Sequence, residues 1–215
     1  MEYRLIRSKR KTLALKIIKD GNLVVLAPNK CSLKYIEDFV ISKKDWILKH
    51  QQSMKEINKS YEEYTNLDKL IIFGESYELL EFSNHYEVGD YYIKHTKASN
   101  KQKIIKEFFN KLANDYIIAR TKEIAEKLNL KYKNAKIISA RKKWGSCNSL
   151  KELKYNFRLV MIPKGLIDYV ICHELCHLTE LNHSTKFWSL MRSLGYEKSK
   201  IKAQMKPYGF VLELL

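Results

Sequence analysis

Residues His173 to His183 read HELCHLTELNH, so half of the six histidines of the chain lie within eleven residues. On an α-helix, residues four apart lie on one face, one turn apart, and both imidazoles of an H-E-x-x-H motif can bind one ion. Glu174 can then reach a water molecule on that ion and act as its base. The motif predicts a zinc site with His173 and His177 as ligands and Glu174 as the catalytic residue.

A third protein ligand is expected, because a catalytic zinc ion takes three protein ligands and keeps one position for water. His183 is the residue that we favour. Glu180 is the alternative, since carboxylates also complete sites that contain two histidines. A continuous helix would carry His183 about two turns away from His173, so the helix must end between His177 and His183.

Residues around the motif support such a break. Asn182 tolerates left-handed backbone geometry and could form the turn, and Ser184 is a good N-cap for a following helix. Cys172 and Cys176 could bind zinc as thiolates, but we interpret them as small packed residues because each lies about 100° around the helix from its neighbouring histidine. Asp168 either orients an imidazole or is an exposed acid of the first turn, and we favour the second interpretation.

Working outward, the apolar pattern predicts strands and helices in both halves of the chain. The predicted strands are 12–18 and 23–26, joined at Asp20-Gly21, and then 70–73, 77–82, 91–94, 136–140 and 153–160. The predicted helices are 33–57 after the cap Ser32, a long helix from about 100 to 128, one from Pro163 toward 180, and one from Ser184 to Gly195. The polar stretch 58–68 is predicted to be a loop.

Composition narrows the class of protein. The 215 residues are 45% hydrophobic with only seven Gly and three Pro, which excludes a disordered chain. We expect no transmembrane helix and no secretory signal, since no long uncharged apolar stretch is present. Four cysteines are too few for a disulfide framework in a chain of this length, so we expect a cytoplasmic protein.

The chain is strongly basic, with 40 Lys and Arg against 24 Asp and Glu and a net charge of +16. Such a charge is typical of proteins that bind nucleic acid, and DNA is therefore a candidate partner. The residues that we single out as candidate contacts are Arg4, Arg7, Lys9, Arg10 and Lys11. The alternative is that lysines on solvated faces account for the charge, because they are spread along the whole chain.

Most of the chain resembles the YgjP-like zinc metallopeptidases, a family similar to the SprT and WLM metalloproteases. In the C-terminal part the resemblance rests on Trp144–Cys147, Tyr155–Leu159, Pro163, Ile167–Val170, the histidine motif, Asn182–Ser184 and Phe187-Trp188. In the N-terminal part it rests on Arg7–Leu13, Ala27-Pro28 and Lys44–Ile47, and it is weakest from about 50 to 135. Metzincins share the spacing of the three histidines, but position 180 is Glu where that family has Gly, so they are the second choice.

The resemblance implies an α+β fold with an N-terminal β-rich half followed by a zincin-like catalytic half. We therefore predict a β-rich subdomain with one long helix at residues 1–98 and a metallopeptidase domain with a small sheet at 99–215. It also implies one zinc ion held by His173, His177 and His183, with Glu174 as the base. It names no substrate beyond protein or peptide.

The predicted reaction is peptide hydrolysis by a zinc-activated water, with Glu174 passing the proton to the leaving amine. Arg158, Tyr169 and Lys143 are candidates for contacting the oxyanion or the substrate. Residues 155–158 could be an edge strand that aligns the peptide. Two other functions stay open at this point: a nucleic-acid-associated zinc protein with little proteolysis, and a protein whose zinc is mainly structural.

Overall fold

Helices account for 48% of the structure and strands for 22%, in several small sheets, so the expected α+β class is confirmed. The computed structural model describes residues 1–18, 20–95 and 100–215. Its contacts divide the chain into two units, Met1–Glu62 and Glu63–Leu215. The predicted boundary between 98 and 99 lies outside the described residues and stays a prediction.

The first unit is a three-stranded sheet packed against helices. Its elements are β1 (Arg4–Ser8), β2 (Ala14–Ile17), β3 (Leu23–Pro28), α1 (Leu33–Ser42) and most of α2 (Lys44–Thr65). Strand β3 is central, parallel to β1 and antiparallel to β2. The β2–β3 turn contains Gly21 at φ +84°, a backbone conformation that favours glycine, as the sequence predicts. Alternate side chains of β3 and the inner faces of the helices form the core, which contains Leu23, Val25, Ala27, Ile36, Val40 and Ile47.

The helices of this unit differ from the prediction in two ways. Ser32 does cap α1, since its hydroxyl accepts from the Tyr35 amide, but the chain leaves helical geometry at Lys43 and a second helix begins at Lys44. Neither Gly nor Pro marks that break in the sequence. The loop predicted at 58–68 is wrong, because α2 continues to Thr65. The loop was inferred from polarity alone, whereas Lys and Glu are good helix formers.

The second unit contains the remaining strands and helices. Its strands are β4 (Lys69–Ile72), β5 (Glu75–Glu78), β6 (Leu80–Glu81), β7 (His85–Val88), β8 (Tyr91–Lys94), β9 (Asn134–Ile138), β10 (Gly145–Cys147) and β11 (Glu152–Asn156). Its helices are α3 (Lys101–Ala113), α4 (Ala119–Lys127), α5 (Lys164–Cys176), α6 (Thr185–Ser193) and α7 (Lys198–Met205). A π-helical turn at Asn114–Ile118 joins α3 to α4, and 3₁₀ segments cover Phe157–Met161 and Lys206–Glu213. The long helix predicted from 100 to 128 is thus present, with a π turn inside it.

One of the small sheets contains the strand that lies against α5, the helix of the histidine motif. Its strand order is β10-β11-β9, with β11 antiparallel to β10 and parallel to β9. The prediction that residues 155–158 form an edge strand is therefore wrong, because β11 is central and β10 is at the edge. The predicted strand 153–160 also ends early, at Asn156, whose side chain accepts from the Arg158 amide and starts the 3₁₀ segment.

Helix α5 lies in the core of the second unit, and its buried apolar residues are Leu166, Ile167, Val170, Ile171 and Leu175. Pro163 precedes its first turn, within one residue of the predicted start. Among the described residues, no helix combines the length and the apolar character needed to cross a membrane.

Candidate metal centre

The histidine motif lies at the C-terminal end of α5, and the helix stops where the three-ligand site requires it to stop. The helix ends at Cys176, with His177 as its C-cap, and α6 begins at Thr185 after Ser184. The Ser184 hydroxyl accepts from the Phe187 amide, which confirms the predicted cap. The left-handed turn expected at Asn182 is wrong, since the non-glycine residues with positive φ do not include it. Its carbonyl instead accepts from the Ser184 amide at 2.7 Å.

The three imidazoles form a nearly equilateral triangle. The ring centroids are 4.9 Å apart for His173 and His177, 4.9 Å for His173 and His183, and 4.8 Å for His177 and His183. The Phe187 ring lies 4.7 to 4.9 Å from each of them. The first turns of α6 therefore bring an aromatic residue against all three histidines and restrict how far each ring can rotate.

Hydrogen bonds fix the direction in which these rings present their nitrogens. The Nδ1 of His177 lies 2.9 Å from the carbonyl oxygen of Glu180. Because a carbonyl only accepts, this Nδ1 carries the proton, and Nε2 is left with a free lone pair. The Nε2 atoms of His173 and His183 approach to 2.9 Å, and the Nδ1 of His173 lies 3.4 Å from the Tyr169 hydroxyl.

Burial and mutual proximity favour neutral imidazoles. Burial, reinforced by His177 and His183, lowers the pKa of His173 to about 4. Burial also lowers the pKa of His183, with further contributions from His177 and Lys198. Neutral imidazole is the form that binds a metal ion, so these shifts favour His173 and His183 as donors at neutral pH.

These donors suit a metal ion such as zinc. Among the described residues, the His, Cys, Asp and Glu side chains that converge closely enough to hold an ion are His173, His177 and His183. Their ligand atoms lie within 4.8 Å of one another, and a tetrahedral ion with ~2.1 Å bonds would draw them to about 3.4 Å from one another. Neither Glu180 nor the cysteines belong to this group. The side chain of Glu180 accepts from the Ser184 hydroxyl at 3.4 Å.

Glu174 is the buried carboxylate beside this cluster, only 5% exposed. Burial raises its pKa to about 8, and Lys143 and the backbone N–H of Cys147 act in the opposite direction. Edge strand β10 lies directly against it, because a Cβ placed on Gly145 would come within 2.7 Å of its Oε1. Because the glycine has no side chain, the carboxylate of Glu174 can occupy this space.

The three residues predicted to contact an oxyanion have different surroundings. Tyr169 reaches the cluster through His173, and Lys143 acts on Glu174 while its Nζ donates to Ser146 Oγ at 3.3 Å. Arg158 is 2% exposed, and its guanidinium donates to the backbone carbonyls of Leu214 and Leu215. Arg158 therefore binds the end of the described chain, and none of its hydrogen-bond partners belongs to the histidine cluster.

Asp168 has neither of the roles considered from the sequence. Its two carboxylate oxygens accept from Nε and Nη2 of Arg120 on α4, at 2.8 and 2.7 Å. This bidentate ion pair joins α4 to the histidine helix. Cys172 and Cys176 are buried on α5, as expected of packed residues. Cys147 is half-buried, and its thiol donates to the Asn148 carbonyl.

Two of the five basic residues near the N-terminus already donate hydrogen bonds to backbone carbonyls. The Arg7 guanidinium donates to the carbonyls of Pro28, Asn29 and Cys31, and so holds the segment after β3. Arg10 donates to the Thr12 carbonyl. All five residues, Arg4, Arg7, Lys9, Arg10 and Lys11, stay predictions for nucleic-acid contacts.

Asn156 is a residue whose importance the sequence did not reveal. It is wholly buried, and its side-chain amide donates to the carbonyls of Ala140 and Lys143. It thereby holds the loop that carries Lys143 toward Glu174. It lies within the Tyr155–Leu159 motif, but its partners are 13 and 16 residues away, and no local pattern reveals such contacts.

A buried carboxylate and three converging imidazoles are groups that metallohydrolases use. The family described as YgjP-like, metallopeptidase domain, matches residues 11–208. The chain therefore belongs to the YgjP-like metallopeptidase family, and by family it is a hydrolase that acts on protein or peptide.

A solved structure and a set of curated proteins give further comparisons. The chain is similar to the metallopeptidase zymogen jannalysin of Methanocaldococcus jannaschii, at 28% identity and a TM-score of 0.38. That similarity covers 41% of this chain and 92% of the other. No curated protein matches the chain.

Proposed function

We propose that the protein is a zinc-dependent peptidase that binds one zinc ion through His173, His177 and His183 and uses Glu174 as general base. Membership of the YgjP-like metallopeptidase family supports this function. The observation that carries the assignment of residues is the triangle of imidazoles together with a buried carboxylate, Glu174, which directly follows the first of these histidines on α5.

When bound, the ion supplies Lewis acidity, which lowers the pKa of water and polarises the scissile carbonyl. Glu174 accepts the proton of the attacking water on its carboxylate and transfers it to the leaving amine. Burial raises the pKa of Glu174 to about 8 in the absence of the ion, and a cation held by the histidines would lower it again, which leaves an ionised carboxylate that can accept the proton. The contact with Gly145 fixes the direction in which the carboxylate points.

Stabilisation of the developing oxyanion is assigned to residues near the cluster. Tyr169 and Lys143 are the candidates, because one contacts His173 and the other acts electrostatically on Glu174. Arg158 is the weakest of the three predicted donors, since its buried guanidinium already donates to backbone carbonyls.

The substrate peptide is proposed to add as a strand to β10. This strand pairs with β11 on one side, and the described residues provide no partner on its other side. Backbone hydrogen bonds to an edge strand align an extended peptide without requiring a particular sequence. Because Gly145 of β10 touches Glu174, such a peptide would pass next to the base.

The main test compares Glu174→Gln with Glu180→Gln, both loaded with one equivalent of zinc. A peptide library from a digested proteome is the substrate, and new termini are counted by mass spectrometry. We expect Glu174→Gln to lose at least about 100-fold in rate while zinc content, measured by elemental analysis, stays unchanged. Glu180→Gln keeps its rate, because the Glu180 contact with His177 is through the backbone carbonyl. Full activity in Glu174→Gln contradicts the mechanism.

The alternative, a nucleic-acid-associated zinc protein with little proteolysis, rests on the net charge of +16. Salt-dependent retention on DNA without peptide cleavage would favour it. A cytoplasmic location is part of the main proposal, and the four cysteines, free of disulfides in the structure, fit a reducing compartment.

A further inference from the structure

A cleft of about 550 Å³ lies beside the histidine cluster. The residues that line it are Trp188, Arg192, Glu197, Lys198, Ser199 and Lys202. Trp188 is shared between the cleft and the cluster, because its ring centroid lies 6.1 Å from that of His183 and 6.4 Å from that of His173. A substrate side chain that binds in this cleft would therefore belong to a residue only a few positions away from the peptide bond that lies at the histidines.

The charge of the cleft is unbalanced. Its only lining acid, Glu197, pairs with Lys200 outside the cleft at 3.1 Å. Within the described part of the chain, none of the three lining cations, Arg192, Lys198 and Lys202, has a carboxylate oxygen within 4 Å. A concave surface lined by cations concentrates positive potential and attracts anionic groups.

We propose that this cleft is a substrate subsite that receives an acidic side chain, so that the enzyme prefers peptides with Asp or Glu near the scissile bond. This inference rests on the proposed peptidase function. Lys198 is the specificity-determining residue in this inference, and its Nζ lies 4.7 Å from the centre of the Trp188 ring, which contacts the cluster. The carboxylate of a substrate Asp or Glu would contact Lys198, Arg192 and Lys202. The methylene groups of the same side chain would pack on Trp188.

Peptide fits the cleft better than nucleic acid for two reasons. The three exposed cations lie around one open cleft next to a single tryptophan, whereas a nucleic-acid strand is typically bound by a charged groove with successive stacking platforms. The cleft also adjoins the histidine cluster of a chain that belongs to a peptidase family. An acidic peptide is therefore the ligand that the charge and the position together favour.

Binding tests the subsite without requiring turnover. Two fluorescein-labelled twelve-residue peptides are compared, identical except that three Glu in one are Gln in the other. Fluorescence anisotropy measures their Kd with zinc-loaded Glu174→Gln protein at 50 mM and 300 mM NaCl. We expect the Glu peptide to bind about tenfold more tightly at low salt, with a smaller ratio at high salt.

Three further variants in the same background assign the preference to the cleft. Lys198→Gln lowers the ratio of affinities about three- to fivefold, and Glu197→Gln raises it, because it removes the acid of the cleft. Lys122→Gln on α4 is the control with the same change of net charge as Lys198→Gln, and it leaves the ratio unchanged. In the wild type, Lys122 is exposed and its Nζ lies 3.9 Å from Oε1 of Glu126.

The outcomes separate this inference from the peptidase function. Equal affinity for the two peptides, or a ratio that Lys198→Gln does not change, overturns the subsite even if the wild type cleaves the peptide library. A preserved preference with no cleavage of any peptide overturns the peptidase function and leaves the cleft as a binding site for acidic peptides. A dT12 oligonucleotide that displaces the Glu peptide, with a Kd lower than that of the peptide and weakened by Lys198→Gln, assigns the cleft to nucleic acid and overturns the proposal.

Discussion

Gly145 shows that the site depends on the space left for the Glu174 side chain as well as on its chemical groups. A Cβ at this position would lie 2.7 Å from Oε1, 2.8 Å from Cγ and 3.0 Å from Cδ of Glu174. The φ angle of Gly145 is not positive, so its backbone conformation is open to other residues. What excludes a side chain at this position is the carboxylate itself.

Gly145→Ala is therefore expected to displace Glu174 and to lower peptidase activity at least about tenfold, with zinc content unchanged. Overpacking against a buried group also lowers the free energy of unfolding by about 1–3 kcal/mol. Urea denaturation and the peptide-library assay measure the two effects. Gly165→Ala is the control: a Cβ there meets no atom within 4 Å, and alanine favours the helix. Unchanged activity in Gly145→Ala would show that the contact does not position the base.

Asn156 gives a second prediction at this scale. Asn156→Ala leaves the carbonyls of Ala140 and Lys143 without their side-chain donor in a buried environment. We expect a loss of about 2–3 kcal/mol in the free energy of unfolding and faster hydrogen exchange over residues 140–144. The control Asn134→Ala removes only a long contact of 3.5 Å with Glu152, and its effect should stay below about 0.5 kcal/mol. Equal stability of the two variants would contradict the role given to Asn156.

The sequence predicted individual residues best where spacing on one element carries the chemistry. Two histidines four apart and the glutamate between them need only helical geometry, and the grouping of His183 rather than Glu180 follows from where the helix ends. The roles of Gly145 and Asn156 could not be predicted, because each depends on a contact between segments far apart in the chain.

Among the elements, α5 is held in place by the ion pair between Asp168 and Arg120 of α4. The pair is bidentate and partly buried, with side-chain exposures of 22% for Asp168 and 30% for Arg120. Such geometry gives an ion pair more weight than a freely exposed pair has. It connects α5, the helix of the histidine motif, to α4, which contains no histidine.

Asp168→Asn is expected to lower the free energy of unfolding by about 1–2 kcal/mol, because the fork of Arg120 loses its charged acceptor. Urea denaturation measures the change. Glu126→Gln removes the same charge from α4, but its partner is exposed and 3.9 Å away, so its effect should be below about 0.5 kcal/mol. A double-mutant cycle with Arg120→Gln checks the coupling, and additive effects of Asp168→Asn and Arg120→Gln would exclude it.

Prediction of the elements failed where tertiary packing decides. Strand β10 covers only three residues, Gly145 to Cys147, and its short polar sequence has no strand pattern. It forms because β11 provides a partner, and β11 in turn becomes central for the same reason. The helical stretch at 58–65 was missed for the opposite reason, since its polar residues have helix propensity without an apolar stripe.

For the whole molecule, the family resemblance predicted the class of structure, and composition left the use of the charge open. The α+β class is confirmed, and the family spans residues 11–208. The net charge of +16 points equally to DNA and to an acidic substrate. The cleft at Trp188 favours the acidic substrate, because its cations converge next to the histidines.

The last prediction concerns metal removal from the whole chain. The core around α5 contains many wholly buried apolar side chains, among them Ile167, Ile171, Leu175 and Phe187. Because this burial does not depend on an ion, we expect EDTA treatment to abolish peptidase activity while the far-UV circular dichroism spectrum stays unchanged. One equivalent of zinc restores activity and raises Tm by a few degrees, since the ion binds only the folded state. Collapse of the spectrum in EDTA would instead favour a structural role for zinc. His183→Ala provides the matched test: it should lose zinc and activity and keep the spectrum, because His183 is exposed.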